Sequence, residues 1–209
     1  MTKKITLLFS FILILTLQGC GITQELDQAI TTTTELNTTL EAYKENIKSL
    51  KKRVDEIPDA FERDLKKGDP EGLFKDSEGD LYRNFTKRQE LLETMTAEQK
   101  DMAKLKKELQ RIISKEAVDV DNEQLELITS SLDIIKNNFD ANQAYIETGA
   151  SQEEELYNHL PVENLSAQTS LIERTYGSVM MASEESITNI NYTLSLIKNF
   201  QDNAQVPAK

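Results

Sequence analysis

An all-α fold, an elongated antiparallel up-and-down bundle of four long helices, is what this sequence predicts, and three observations predict it. Apolar residues recur at alternating steps of three and four along most of the chain, the spacing that lines one face of a helix. Only 7 glycines and 4 prolines occur in 209 residues, and tryptophan is absent, so the frequent turns of a sheet protein are missing. The breakers that do occur separate four periodic stretches of roughly 35–45 residues each, matched lengths that suit antiparallel neighbours.

Residues 1–19 stand apart from that pattern. Lys3 and Lys4 form a basic start, and residues 5–17 carry no charge. Thirteen helical residues reach about 20 Å, short of the roughly 30 Å core of a bilayer, and fit the apolar core of a secretory signal. The run ends in Leu17-Gln18-Gly19-Cys20, which resembles the lipobox of bacterial lipoproteins, with Gln18 where a smaller residue is more usual. That resemblance implies cleavage between Gly19 and Cys20 and a diacylglyceryl group on the Cys20 sulfur. Cys20 is the single cysteine, so no intrachain disulfide can form. Two or more acyl chains hold a protein on a membrane where one does not.

Past the signal peptide the expected organisation is a lipidated tether at 20–25, a helical bundle at 26–202 and a disordered tail at 203–209. The first helix carries Leu36, Leu40, Tyr43, Ile47, Leu50, Val54, Ile57 and Phe61 in steps of four and three, with Leu26, Ala29 and Thr33 extending the seam backwards. Pro58 should kink it. Lys66, Lys67, Gly68 and Pro70 close it, and residues 68–79 read as a loop. The second helix covers 80–115 through Leu81, Phe85, Leu92, Met95, Met102, Leu105, Leu109 and Ile112. Arg88 and Gln99 occupy two of its seam positions and suggest a wetter, more exposed stretch. Asp119, Asp121 and Asn122 form a capping turn.

The third helix starts near Asn122 and runs through Leu125, Ile128, Leu132, Ile135, Phe139, Asn142 and Ile146. Gly149-Ala150-Ser151 reads as an interruption, after which Ser151 and Glu154 make a capping box for a piece at 152–160. If Gly149 splits the helix, the alternative is three helices plus a short piece. Pro161 precedes the fourth helix, 163–200, whose seam includes Leu165, Ile172, Tyr176, Val179, Ile187, Ile190, Leu194 and Ile197, with Gly177 and Ser183 as soft points. An even number of helices puts Cys20 and the C-terminus at one end. The loops at 68–80 and 149–161 then stand about 50 Å away, and that distal end is where a binding surface is expected.

Charge excludes some partners. Without residues 1–19 the chain has 22 basic and 36 acidic side chains, net −14. Residues 20–120 carry −4 and residues 121–209 carry −10. Nucleic acid, whose affinity comes largely from Lys and Arg on phosphate, is not an expected partner, and the acidic second half should repel anionic lipids and polyanionic wall polymers unless divalent cations bridge them.

Catalytic apparatus is not expected. His159 is the single histidine and sits where it can serve a helix end. Asp119, Asp121 and Glu123 alternate like calcium-loop ligands, but Gln124 and Ser130 stand where the loop needs glycine and glutamate. The acids Asp69, Glu71, Asp76, Glu78 and Asp80 lack ligand spacing. Glu153-Glu154-Glu155 reads as a charged first turn, since consecutive residues cannot face each other across a cleft. Tyr43 and Tyr176 lie on seams; Tyr145 and Tyr157 flank the expected distal loop and could stack on sugar rings.

The lipobox at 17–20, the seam from 36 to 61 and the break Gly68-Asp69-Pro70-Glu71-Gly72, in an acidic chain of four helical segments, are together similar to the cell-wall-binding lipoproteins of Gram-positive bacteria, the YkyA-like family. The resemblance covers the whole chain and implies a helical bundle, held by lipid on Cys20 at the outer face of the cell membrane, within the wall. It brings no catalytic residue, no metal and no cofactor beyond the lipid. The expected function is non-enzymatic, with the membrane engaged through the anchor, peptidoglycan or an envelope protein as partner, and neither nucleic acid nor a small-molecule substrate. The alternative is an adaptor or assembly lipoprotein that binds a protein.

Overall fold

The structure is a computed structural model and describes residues 24–67 and 77–204. The expected signal peptide at 1–19, the expected lipobox at 17–20, loop residues 68–76 with Asp69, Glu71 and Asp76, and tail residues 205–209 lie outside the described residues.

The described chain is all α-helix: α1 (Gln24–Asp55), α2 (Ile57–Lys67), α3 (Gly79–Ile113), α4 (Asn122–Tyr157) and α5 (Leu165–Ala204). The expected first helix is α1 and α2 together, broken at Glu56. Pro58 has no N–H to give the carbonyl four residues back. Hydrogen bonding resumes on both sides of the fault, with the Glu56 N–H on the Lys52 carbonyl (3.1 Å) and the Ala60 N–H on the Glu56 carbonyl (3.0 Å). Helix begins at Gln24 and ends at Ala204, two residues beyond each expected bundle boundary.

Four corners follow in the order α1, α3, α4, α5, with α1 also against α5 and α4 and α5 packed most extensively. Lys115 pairs with Glu25 (3.0 Å) and Gln201 donates to Thr34 (3.0 Å), which fixes the start of α1, the end of α3 and the end of α5 at one proximal end. Each long helix spans about 50 Å, so α2, the start of α3, the end of α4 and the start of α5 meet at the distal end.

The seams point inward. Leu36, Leu40, Ile47 and Leu50 of α1, Met95 and Leu109 of α3, Leu125, Ile128 and Ile146 of α4, and Val179, Ile190 and Ile197 of α5 are all buried. Each such side chain contributes roughly 1.5–3 kcal/mol on leaving water. Tyr43 meets Phe139 edge-on across the core at 6.4 Å. The α4–α5 interface is lined by small polar residues: the Ser131 and Thr193 hydroxyls lie 3.0 Å apart and Asn142 donates to Ser183 at 3.1 Å. Ser183 is therefore a fully buried partner rather than a soft point.

Three expectations are corrected. Gly149 does not interrupt α4, which runs unbroken to Tyr157, so the bundle has four long helices and not three plus a short piece. Its Cα faces Tyr176 of α5; a Cβ there would lie 2.7 Å from the ring. The glycine is thus a close-approach position, where packing outweighs its roughly 1 kcal/mol propensity deficit. Ser151 and Glu154 consequently sit inside a helix and form no capping box. Finally, Arg88 is fully buried and Gln99 half-buried, the reverse of an exposed stretch.

Candidate functional site at the distal end

The break at Pro58 shapes the distal end. It lets α2 carry Asp64 over the start of α3, where Glu78 makes no side-chain cap. The buried Asp64 carboxylate accepts the Asp80 N–H (3.0 Å) and the Leu81 N–H (2.8 Å), so a residue of one helix caps another. Gly79 makes this possible. Its φ of +96° is open to glycine, and a Cβ would lie 2.7 Å from an Asp64 oxygen.

Beneath that cap lies a buried polar network. Arg88 Nη2 donates to Glu153 Oε2 (2.6 Å), Arg88 Nε donates to Asn84 Oδ1 (2.8 Å), and Arg88 Nη1 is hydrogen-bonded to the Tyr176 hydroxyl. Tyr176 donates to Glu153 Oε2 (3.1 Å), and its ring stands 4.9 Å from the guanidinium carbon, within cation–π range. Asn84 Nδ2 closes the chain on the Arg53 carbonyl at 2.8 Å, in the last residues of α1 before the fault. Arg88 and Glu153 are both 0% exposed. Desolvation pushes the Glu153 carboxyl above its ordinary range, with Arg88 pulling against it. Desolvation also opposes the Arg88 charge, but Glu153 and Tyr176 outweigh it and hold the guanidinium above its ordinary value. Glu153 Oε1 has no hydrogen-bond partner.

Two clefts open on either side of the fault. One, of about 260 Å³, is lined by Val54, Ile57, Pro58, Ile172, Tyr176 and Met180 and is largely apolar. The other, of about 280 Å³, lies between α1, α2 and α3. Its lining includes Ala60 and Asn84, which are buried, and Arg53, Arg63, Arg83 and Lys87, which are partly open to solvent. Asn84 connects this second cleft to the buried network. Arg63, Lys67 and Arg83 converge on Asp80, and Lys52 and Arg53 on Glu56. The hydrogen bond from Arg63, followed by those from Lys67 and Arg83, holds the Asp80 carboxyl far below the usual carboxylate range.

The remaining candidates separate. Glu153 is no charged first turn: it is a buried partner of Arg88, whereas Glu154 and Glu155 are exposed. Tyr157 is buried, 5.4 Å from the Phe61 ring, and is not available to a sugar; Tyr145 is exposed on the flank of α4, well before its end. His159 Nδ1 lies 2.7 Å from the Glu155 carbonyl, and since a carbonyl only accepts, that nitrogen carries the proton. Asp121 caps α4 by accepting the Gln124 N–H at 3.0 Å. Among the described residues no group of three or more His, Cys, Asp or Glu is placed to hold a metal ion. No described helix is long and apolar enough to cross a membrane. Gly19 and Cys20 lie outside the described residues. Compared with models of protein families, with curated proteins and with solved structures, the chain matches none.

Proposed function

We propose that this chain is a lipid-anchored, extracytoplasmic helical protein that binds the cell wall and does not catalyse. The observation that carries the reading is the sequence Leu17-Gln18-Gly19-Cys20 placed four residues ahead of α1. A lipid on Cys20 holds the proximal end at the outer face of the cell membrane, and the distal end then reaches about 50 Å into the wall. The non-catalytic part of the reading is supported by the buried carboxylate. Glu153 is engaged by Arg88 and Tyr176 in the core and is not aimed into either cleft.

The test uses the full chain expressed with its leader in a Gram-positive host. Radiolabelled palmitate should enter the protein and be lost in Cys20→Ser, and the mature N-terminus should be Cys20. The detergent-extracted protein should then sediment with purified sacculi. Palmitate incorporation without retention on sacculi keeps the anchor and removes wall binding; absence of label removes the anchor.

A further inference from the structure

We propose that the cleft between α1, α2 and α3 is a binding site for a phosphodiester-bearing anionic polymer. This deepens the wall-binding reading and rests on it for the setting in which the polymer is met.

Without residues 1–19 the chain is strongly acidic, yet four cations line this one cleft, Arg53, Arg63, Arg83 and Lys87, and Lys52 and Lys67 pair with its carboxylates from outside the lining. They form ion pairs with three carboxylates, Glu56, Asp80 and Glu90, and the charges of Asp59 and Asp64 also act on Arg63. Asp59 and Glu62 are exposed on α2, where Glu62 pairs with Lys66. The acidic side of the distal end, Glu154, Glu155, Glu163 and Glu173, belongs to α4, α5 and the link between them. Among the residues that line the cleft, four cations from three helices thus face two carboxylates, Glu56 and Asp80.

Geometry then selects the ligand. Asp80 gathers Arg63, Lys67 and Arg83 around one carboxylate, and Glu56 pairs with Arg53, so these cations stand close together. Arginine forks pair bidentately with phosphate oxygens. Arg53, Arg63, Arg83 and Lys87 retain side-chain exposures of 41%, 51%, 66% and 58%, so their outer N–H groups face solvent. A cleft of about 280 Å³ exceeds what a single phosphate fills and suits a chain with repeated charges. Its position also favours a polymer over a membrane headgroup, because Lys115 and Glu25 mark the opposite end as the one next to the anchor. The acidic repulsion expected of wall polymers is concentrated on the α4–α5 side, since residues 121–209 carry −10 against −4 for residues 20–120, so one face can attract what the other repels.

The full chain in non-ionic detergent is titrated with a synthetic glycerol-phosphate oligomer, with polyglutamate of equal charge, and with vesicles of anionic phospholipid. The oligomer should bind, weaken with salt, and lose about tenfold or more in affinity in Arg53→Ala/Lys87→Ala, a variant that leaves the Asp80 cluster whole. Arg63→Ala/Arg83→Ala should do the same wherever its circular dichroism matches wild type. Lys104→Ala/Lys107→Ala, which removes as much charge from the proximal half of α3, should leave affinity within about twofold. Equal binding of polyglutamate, stronger binding to vesicles, no oligomer binding, or equal losses in cleft and control variants would each overturn the site. Sacculi separate this proposal from its premise. Retention that survives stripping of the phosphate polymers, together with no oligomer binding, refutes the cleft and leaves wall binding standing. Oligomer binding that depends on the cleft, with no retention on sacculi, supports the site and removes the wall.

Discussion

Arg88 of α3 and Glu153 of α4 lie 65 positions apart in sequence and meet at 2.6 Å with neither side chain exposed. Removing either partner leaves the other as an uncompensated charge in the core. Arg88→Met or Glu153→Leu alone should destabilise by about 3–5 kcal/mol, and the double variant should recover much of that loss. Urea denaturation of the four proteins gives the cycle directly; additive losses would show that the pair is not coupled.

Two glycines, one inside α4 and one inside α5, should respond with opposite signs. An alanine methyl at Gly149 meets the Tyr176 ring at 2.7 Å, and Gly149→Ala should cost about 1–3 kcal/mol through overpacking. At Gly177 nothing lies within 4 Å of where that methyl would sit, so Gly177→Ala should stabilise α5 by about 0.5–1 kcal/mol. Thermal unfolding midpoints moving in the same direction would contradict the placement of one of them.

Asp64→Ala deprives α3 of the carboxylate that accepts its second and third N–H groups. A loss of about 0.5–2 kcal/mol is expected. Hydrogen exchange should show faster opening at Asp80 and Leu81 and little change at the proximal end of α3; uniform change along the helix would argue against a local cap.

Alkaline pH should unfold the bundle in a defined way. Desolvation pushes the Tyr43, Tyr157 and Tyr176 hydroxyls well above the usual tyrosine value of 10.0. A folded value above the unfolded one means that the folded state keeps its proton where the unfolded chain releases it. The stabilisation is complete below a pH of about 10 and is lost as pH rises further. Tyrosinate absorbance should report these three ionising together with loss of helical circular dichroism. Their ionisation in a still-folded protein would show that they are not buried.

The seams made most of the fold readable, because a three-four step on four stretches leaves one arrangement in which all of them face inward. Continuing the third seam past Ile146 would also have exposed the site. Steps of four, three and four lead to Ala150, Glu153 and Tyr157, all buried. Reading Gly149 as a break stopped that count, since a glycine that weakens an isolated helix looks the same in sequence as one that admits a neighbour's ring. Arg88 carried the complementary signal: a cation on the seam of α3 at the height of an anion on the seam of α4. Neither alone indicates a pair, and their meeting depends on how α3 and α4 are aligned. The basic cleft was hidden for a further reason. Its cations come from three helices and are diluted in any linear count of charge by the acids around them.

The fault at Glu56 also sets how the protein would carry mechanical load. With the lipid fixed before α1 and a polymer held at the distal cleft, tension on Arg53 travels along α1 alone, while tension on Arg83 and Lys87 must cross from α3 into α1. That crossing is loaded in shear, along neighbouring helices whose contacts would have to give way together. A pull on Arg63 instead has two routes, back through the interrupted turn before Pro58 into α1 and across the Asp64 cap into α3, so the short helix divides its load between two long ones.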